Sequence, residues 1–346
     1  MELLKRILSG GLVVLLLGGF TYSPSASVDE PSVNIQKKPK TLVLTKKAVS
    51  QSKLDEVLQR SRKKAQEEIV KNAALLKSNE TEQVINYYYI EDGIGYFYEL
   101  TPENSETYIV GDVVEESEEE SSFSALATIP NGIGGRAVIR QNGNYLTTTV
   151  RTATQAQMGS TTNGIAWTYS GFSGVGDSAS GNPGFTVEAD MGLQYSNSWG
   201  YVIWKPHVGY YNGTQLRGTF LSGYDQVQYK NGFKGGTDVN FSVYRNVNNN
   251  LRLTQSGYAE CGDMNCNNTS DTWLTSILEI ANTKVTSVTQ WKILATVAGS
   301  EDVTGNNYAD FKNIMVDGVA KTPVIDAQEY ATINISGNRA TITVSH

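Results

Sequence analysis

Phe185 to Tyr211 reads FTVEADMGLQYSNSWGYVIWKPHVGYY, and its alternation decides the fold class. Val187, Ala189, Met191 and Leu193 alternate with Glu188, Asp190, Gly192 and Gln194, a period of two that predicts a strand with one apolar and one polar face. Glu188 and Asp190 therefore share a face, about 6 to 7 Å apart at the backbone. After a turn over Ser196-Asn197-Ser198, a second strand carries Trp199, Tyr201, Trp204, Lys205, His207, Tyr210 and Tyr211. Aromatic rings stack on the apolar faces of pyranose sugars and carboxylates accept hydroxyl hydrogen bonds, so the pair reads as a sugar-handling surface.

The pattern extends in both directions. From Ala125 no helical period lasts; short β-prone runs such as NYLTTTVRT, IAWTYSGF, NLRLTQSGYA and QWKILATVAG are divided by Asn142-Gly143, Asn163-Gly164, Asn212-Gly213, Asn231-Gly232 and Asp317-Gly318. Residues 125–346 are thus expected to form one large antiparallel β-sandwich or barrel, with Ser276 to Thr283 open to a short helix instead. Upstream, Ser50 or Ser52 offers a helix N-cap before Leu54, Val57, Leu58, Ala65, Ile69, Ala73 and Leu76, which predicts an amphipathic helix ending near Ser78. VINYYYI and IGYFYEL flank Glu91-Asp92-Gly93 as a hairpin, and ETYIVGDVV adds a third strand. The tyrosines of this hairpin are expected to pack on the helix. Residues 28–114 then make a small α+β unit with its leader, and the acidic run in 115–124 a linker, with removal of the unit as a pro-segment one use for it.

Charge and targeting narrow the function classes. Net charge is -7, with 19 acidic and 12 basic residues between Val28 and Ser122 against 15 and 14 from Phe123 onward. No basic patch favours nucleic acid as a partner. Lys5 and Arg6, the apolar run from Ile7 to Phe20 and Ser25-Ala26-Ser27 read as a signal peptide over 1–27, cut after Ala26 or Ser27, which implies a secreted, extracellular protein without a membrane span after cleavage. Export makes a local disulfide between Cys261 and Cys266 the expected state of the only two cysteines. No cofactor motif is present. Calcium is the one metal considered, through Asp263, Asn265, Asn267 and Asp271 or through Glu301, Asp302, Asn306 and Asp310; neither cluster has the spacing of a calcium loop, and turn-forming Asp and Asn are the favoured explanation of both.

The order of these strands resembles the concanavalin-like jelly roll of lectins and polysaccharide-cleaving enzymes. NGIGGRAVIRQNG, EADMGLQYS, WKPHV and NVNNNLRLTQSGY are similar to the YrpD-type secreted proteins of Gram-positive bacteria, over about residues 128 to 325. That resemblance implies export and a β-sandwich but no reaction. Jelly-roll β-glucanases carry Glu-x-Asp-x-x-Glu on one strand face; Glu188 and Asp190 match its first half, and the second Glu is missing. Jelly-roll lyases use Tyr or His as base, for which Tyr201 and His207 are the candidates here, without the lyases' ordered blocks. The expected function is therefore glycan binding without catalysis. Trp199, Tyr201, Trp204 and Tyr211 would stack, and Glu188, Asp190, Gln194, Lys205 and His207 would hydrogen-bond an extracellular polysaccharide or cell-wall glycan. The alternatives are a polysaccharide hydrolase or lyase on the same face, and a surface structural or interaction protein.

Overall fold

Turn chemistry sets the local pairing. The computed structural model describes residues 39–76, 82–102, 104–116, 132–159, 162–198, 201–221, 231–261 and 272–346. Helix α1 (Gln51–Leu76) starts where Ser50 accepts the Lys53 backbone N–H through its hydroxyl. Strands β2 (Gln83–Glu91) and β3 (Ile94–Leu100) close over Asp92 and Gly93, both at positive φ as a two-residue hairpin turn requires. β4 (Glu106–Glu116) pairs antiparallel with β3, and the short β1 (Lys40–Val43) pairs parallel with β4.

The remaining strands build two layers. In sheet A, β6 (Tyr145–Thr152), β12 (Asp238–Val247), β13 (Asn250–Cys261), β14 (Trp273–Ile280), β16 (Asn306–Val316), β19 (Ala331–Ser336) and β20 (Arg339–Ser345) run in the order β19-β20-β16-β6-β12-β13-β14. Sheet A then continues through a parallel β14–β2 pair into β3 and β4. Sheet B runs β18 (Val324–Glu329), β5 (Gly132–Ile139), β15 (Ser287–Thr304), β7 (Thr162–Asp177), β8 (Pro183–Ser198), β9 (Tyr201–Tyr211) and β10 (Gln215–Leu221). The sheets are stitched together where β10 also pairs with β4, and where β11 (Asn231–Lys234) bonds both β9 and β13. The smaller elements are α2 (Gln155–Met158), capped reciprocally by Thr154 and Gln157, and β17 (Val319–Ala320). Ser276 to Ile280 lie in β14, so this run is a strand and not a helix: Leu278 and Ile280 face the core, and Ile277 on the opposite face is buried as well, which leaves no polar face for an amphipathic helix.

Between the layers lies one contiguous apolar core. Val187, Ala189, Met191 and Leu193 of β8 point into it, with Phe172, Trp291 and Ile293 from sheet B and Phe241, Leu253 and Phe311 from sheet A. Alternation thus places Glu188, Asp190 and Gln194 on the outer face of sheet B. On the other side of the molecule, α1 covers the outer face of β2, β3 and β4. Tyr87, Tyr89, Tyr96 and Tyr98 share that face by alternation and register, while Tyr88 turns into the sandwich core. Arg62 clamps Glu106 at 2.7 and 2.6 Å, and Tyr98 donates to the same carboxylate at 2.7 Å. Most of the acidic run 115–124 lies outside the described residues, and the elements on either side of it share hydrogen bonds through β2–β14 and β4–β10. Among the described residues no helix is long and apolar enough to cross a membrane, and residues 1–27 lie outside them.

Candidate functional site

Register assembles one polar face from four strands. On β9, Tyr211, His207 and Lys205 stand opposite Glu188, Gly192 and Gln194 of β8. On β7, Ser173, Gly171, Tyr169 and Trp167 stand opposite Glu188, Asp190, Gly192 and Gln194. β15 adds Lys292 beside Gly171 and Leu294 beside Tyr169. The side chains of the quoted stretch therefore meet residues more than a hundred positions away.

Two glycines shape this face. Lys292, Gly171 and Asp190 form one row across three strands, and the bare Gly171 lets the lysine stem cross β7. Its ammonium donates to Glu188 Oε2 at 2.9 Å and lies 2.7 Å from Asp190 Oδ1, an ion-pair contact out of line for a hydrogen bond. Ser173 Oγ donates to the same Glu188 oxygen at 2.8 Å, and Gln290 Nε2 donates to Ser173 Oγ at 3.4 Å. Lys292 is 4 % exposed. Burial alone would lower its pKa; the Asp190 and Glu188 carboxylates more than offset that and raise it, so the lysine is charged at neutral pH. In the next row, Gly192 separates Tyr169 from His207. Strands two apart are about 9.5 Å apart, yet these rings stack at 6.1 Å across the bare glycine, and Trp167 packs edge-on to His207 at 4.4 Å. A Cβ would lie 2.0 Å from the Ala189 carbonyl oxygen at Gly171, and 2.2 Å from that of Thr168 at Gly192.

The sequence-derived candidates divide accordingly. Glu188, Asp190, Gln194, Lys205, His207 and Tyr211 are brought to one face, as their alternation requires. Trp204 is not: it is fully buried, its indole N–H donates to the Ala153 carbonyl at 3.1 Å, and its ring meets Tyr195 edge-on. It belongs to the core because its position opposite Tyr195 puts it on the apolar side of β9. Trp199, Asp263, Cys266 and Asp271 lie outside the described residues. Of Tyr201, Cys261 and Asp302 only the strand positions are described, so the proposed disulfide also lies outside. Asp310 is no free ligand; both its oxygens are held by Arg339 at 2.8 Å. Among the described residues no three His, Cys, Asp or Glu side chains cluster for a metal.

Lys292, Ser173, Gln290, Trp167 and Tyr169 escape a linear reading. The one available signal is a lysine inside the apolar run QWKILATVAG, since a buried lysine requires a carboxylate partner. Which carboxylate depends on β7 lying between β15 and β8, which no local pattern states.

Comparison with known proteins adds the family. The family described as a domain of unknown function, YrpD, matches residues 126–344, and the chain belongs to it. An uncharacterized YrpD protein of Bacillus subtilis (strain 168) is 35% identical over 223 residues, 64% of this chain and 84% of its own length. Among solved structures, Scytalido-glutamic peptidase with a peptide-based transition state analog aligns at a TM-score of 0.35 and 12% identity, covering 62% of this chain and 98% of that one. SCP-B, of the Eqolisin family of peptidases, in complex with the tripeptide Ala-Ile-His, aligns at 0.34 and 11% over the same shares.

Proposed function

We propose that this member of the YrpD family is a secreted protein that binds an extracellular or cell-wall glycan, without catalysis, on the outer face of β7, β8 and β9. The observation that carries the reading is the packed aromatic cluster of Trp167, Tyr169 and His207 lying beside Gln194, Lys205 and the Lys292-bridged carboxylates. Rings packed against one another, Tyr169 stacked on His207 and Trp167 edge-on to it, give a rigid apolar cluster against which a sugar face can rest, and the neighbouring amide, ammonium and carboxylate groups supply donors and acceptors for its hydroxyls. Export rests on the charged, apolar and small-residue pattern of residues 1–27.

Retention of the protein on a panel of insoluble polysaccharides tests this, with soluble products read in parallel. Retention on at least one polymer, reduced about tenfold or more by Trp167→Ala in a protein of unchanged circular dichroism, is expected; one lost stacking platform at about 1.4 kcal/mol has this effect. Equal retention of the variant, or no retention on any polymer, refutes it. Reducing ends or unsaturated sugars that disappear in Glu188→Gln would replace it with an enzymatic reading.

A further inference from the structure

Lys292 and Asp190 meet as an amine and a carboxyl group, and the sheet around them is shaped to let them touch. They stand on β15 and β8, with β7 between, in one row through Gly171. Backbones two strands apart are about 9.5 Å from each other, a gap the lysine stem crosses over the bare glycine. On its other side Lys292 is flanked by the fully buried Val138 of β5, and the next residue on the same face of β15 is Leu294, 8 % exposed. The ammonium lies 2.7 Å from Asp190 Oδ1. That oxygen is closed to solvent and accepts no hydrogen bond.

Glu188 supplies what such a pair needs to react. Lys292 donates to its Oε2 at 2.9 Å, and Ser173 donates to the same oxygen at 2.8 Å. A proton acceptor is thus on the nitrogen while the nitrogen is on a carboxyl group. An ammonium is not a nucleophile and a carboxylate is a poor electrophile; moving one proton from the nitrogen to the Asp190 carboxylate corrects both, and Glu188 is hydrogen-bonded where that transfer starts. Holding two reacting groups in contact is equivalent to concentrations of about 10⁵ to 10⁸ M. Mass action on that scale drives a condensation that the separate ions in water do not undergo.

We infer that Lys292 and Asp190 condense to an intramolecular amide, with Glu188 as the proton relay, and that this bond ties β15 to β8 across β7. One proton leaves Nζ for Glu188 and passes to the Asp190 carboxylate. The neutral amine then attacks Cγ, and the C–N bond forms. A second proton leaves the nitrogen through Glu188 for the departing oxygen, the C–O bond breaks, and water is released. Ammonium and carboxylate become one amide and one water, Glu188 ends ionised as it began, and no co-reactant is consumed. The water has a way out, because the Asp190 side chain as a whole is 23% exposed. The ion pair is the reactant state, and chains that have not reacted keep it together with its titration. Once formed, the amide closes a loop of roughly 100 residues in the unfolded chain.

The intact mass of the folded chain tests this, measured after reduction so that no disulfide alters it. Wild type incubated at neutral pH is expected to become lighter than its sequence by one water, and a digest should yield one branched peptide joining the segment of Asp190 to that of Lys292. Lys292→Met and Asp190→Ala should each keep the full sequence mass, while Asp190→Asn should lose ammonia in forming the same bond. Glu188→Gln keeps both reacting groups and should slow the reaction about tenfold or more. A folded wild type that stays at its sequence mass over days, with no branched peptide, overturns the inference, and that result needs no variant to fold. An equal loss of water in Lys292→Met overturns it too, since the water then comes from another site.

Discussion

Replacing Lys292 by methionine isolates what holds the carboxylate face together. The stem is conserved in volume, so packing over Gly171 survives and only the ammonium is lost. Its side chain is 6% exposed, against 15% for Glu188 and 23% for Asp190. Breaking a buried pair by removing one partner costs about 3 to 5 kcal/mol; with both carboxylates partly in contact with water, about 2 to 4 kcal/mol is expected here. For a chain of this size that is a fall in Tm of roughly 3 to 6 °C. The sign with pH follows from the raised lysine pKa. Its contribution is fully present below the ordinary lysine value of 10.5 and is lost as pH rises through the higher folded value. Wild-type stability should therefore decline above about pH 10.5 in a way the variant does not share. Thermal melts at several pH values measure this, and Lys292→Met combined with Glu188→Gln and Asp190→Asn should recover most of the loss. A single variant within about 1 kcal/mol of wild type at pH 7, or a deficit independent of pH, would refute the electrostatic account of the face.

Further outcomes follow from the same geometry. Gly171→Ala forces a methyl group against the Ala189 carbonyl and should cost about 1 to 3 kcal/mol in urea unfolding, although alanine is the better strand residue. Trp204→Ala should lose about 3 to 5 kcal/mol, because it empties a fully buried site, while leaving glycan retention of the folded fraction unchanged; Trp167→Ala should do the reverse. Glu106→Ala strips Arg62 and Tyr98 of their common acceptor, and should destabilise by about 3 kcal/mol. Deuterium uptake should then rise first in α1 and β3, with β7 and β15 unaffected.

Much of the molecule is written in local pattern. The two-residue period of Phe185 to Tyr211 fixes which residues of β8 face the core, because side-chain direction in a strand needs no knowledge of its neighbours. Asp92-Gly93 and Ser50 place the hairpin and the helix start for similarly local reasons, positive φ at the turn and a hydroxyl for an orphan N–H. What each strand lies beside is a different matter. Trp204 looks like a stacking residue in a linear reading and is a core residue, since the apolar side of β9 is defined by its pairing with β8. The acidic run 115–124 reads as the end of a separate unit, while β2 bonds a strand that begins at Trp273. Lys292 reaches Asp190 only because β7 lies between their strands and carries glycine at the crossing. The sequence by itself determined most of the strands, the two faces of β8 and the carboxylate pair; tertiary structure alone decided the core side of β9 and the partner of that pair, because a buried charge is matched across strands and not along the chain.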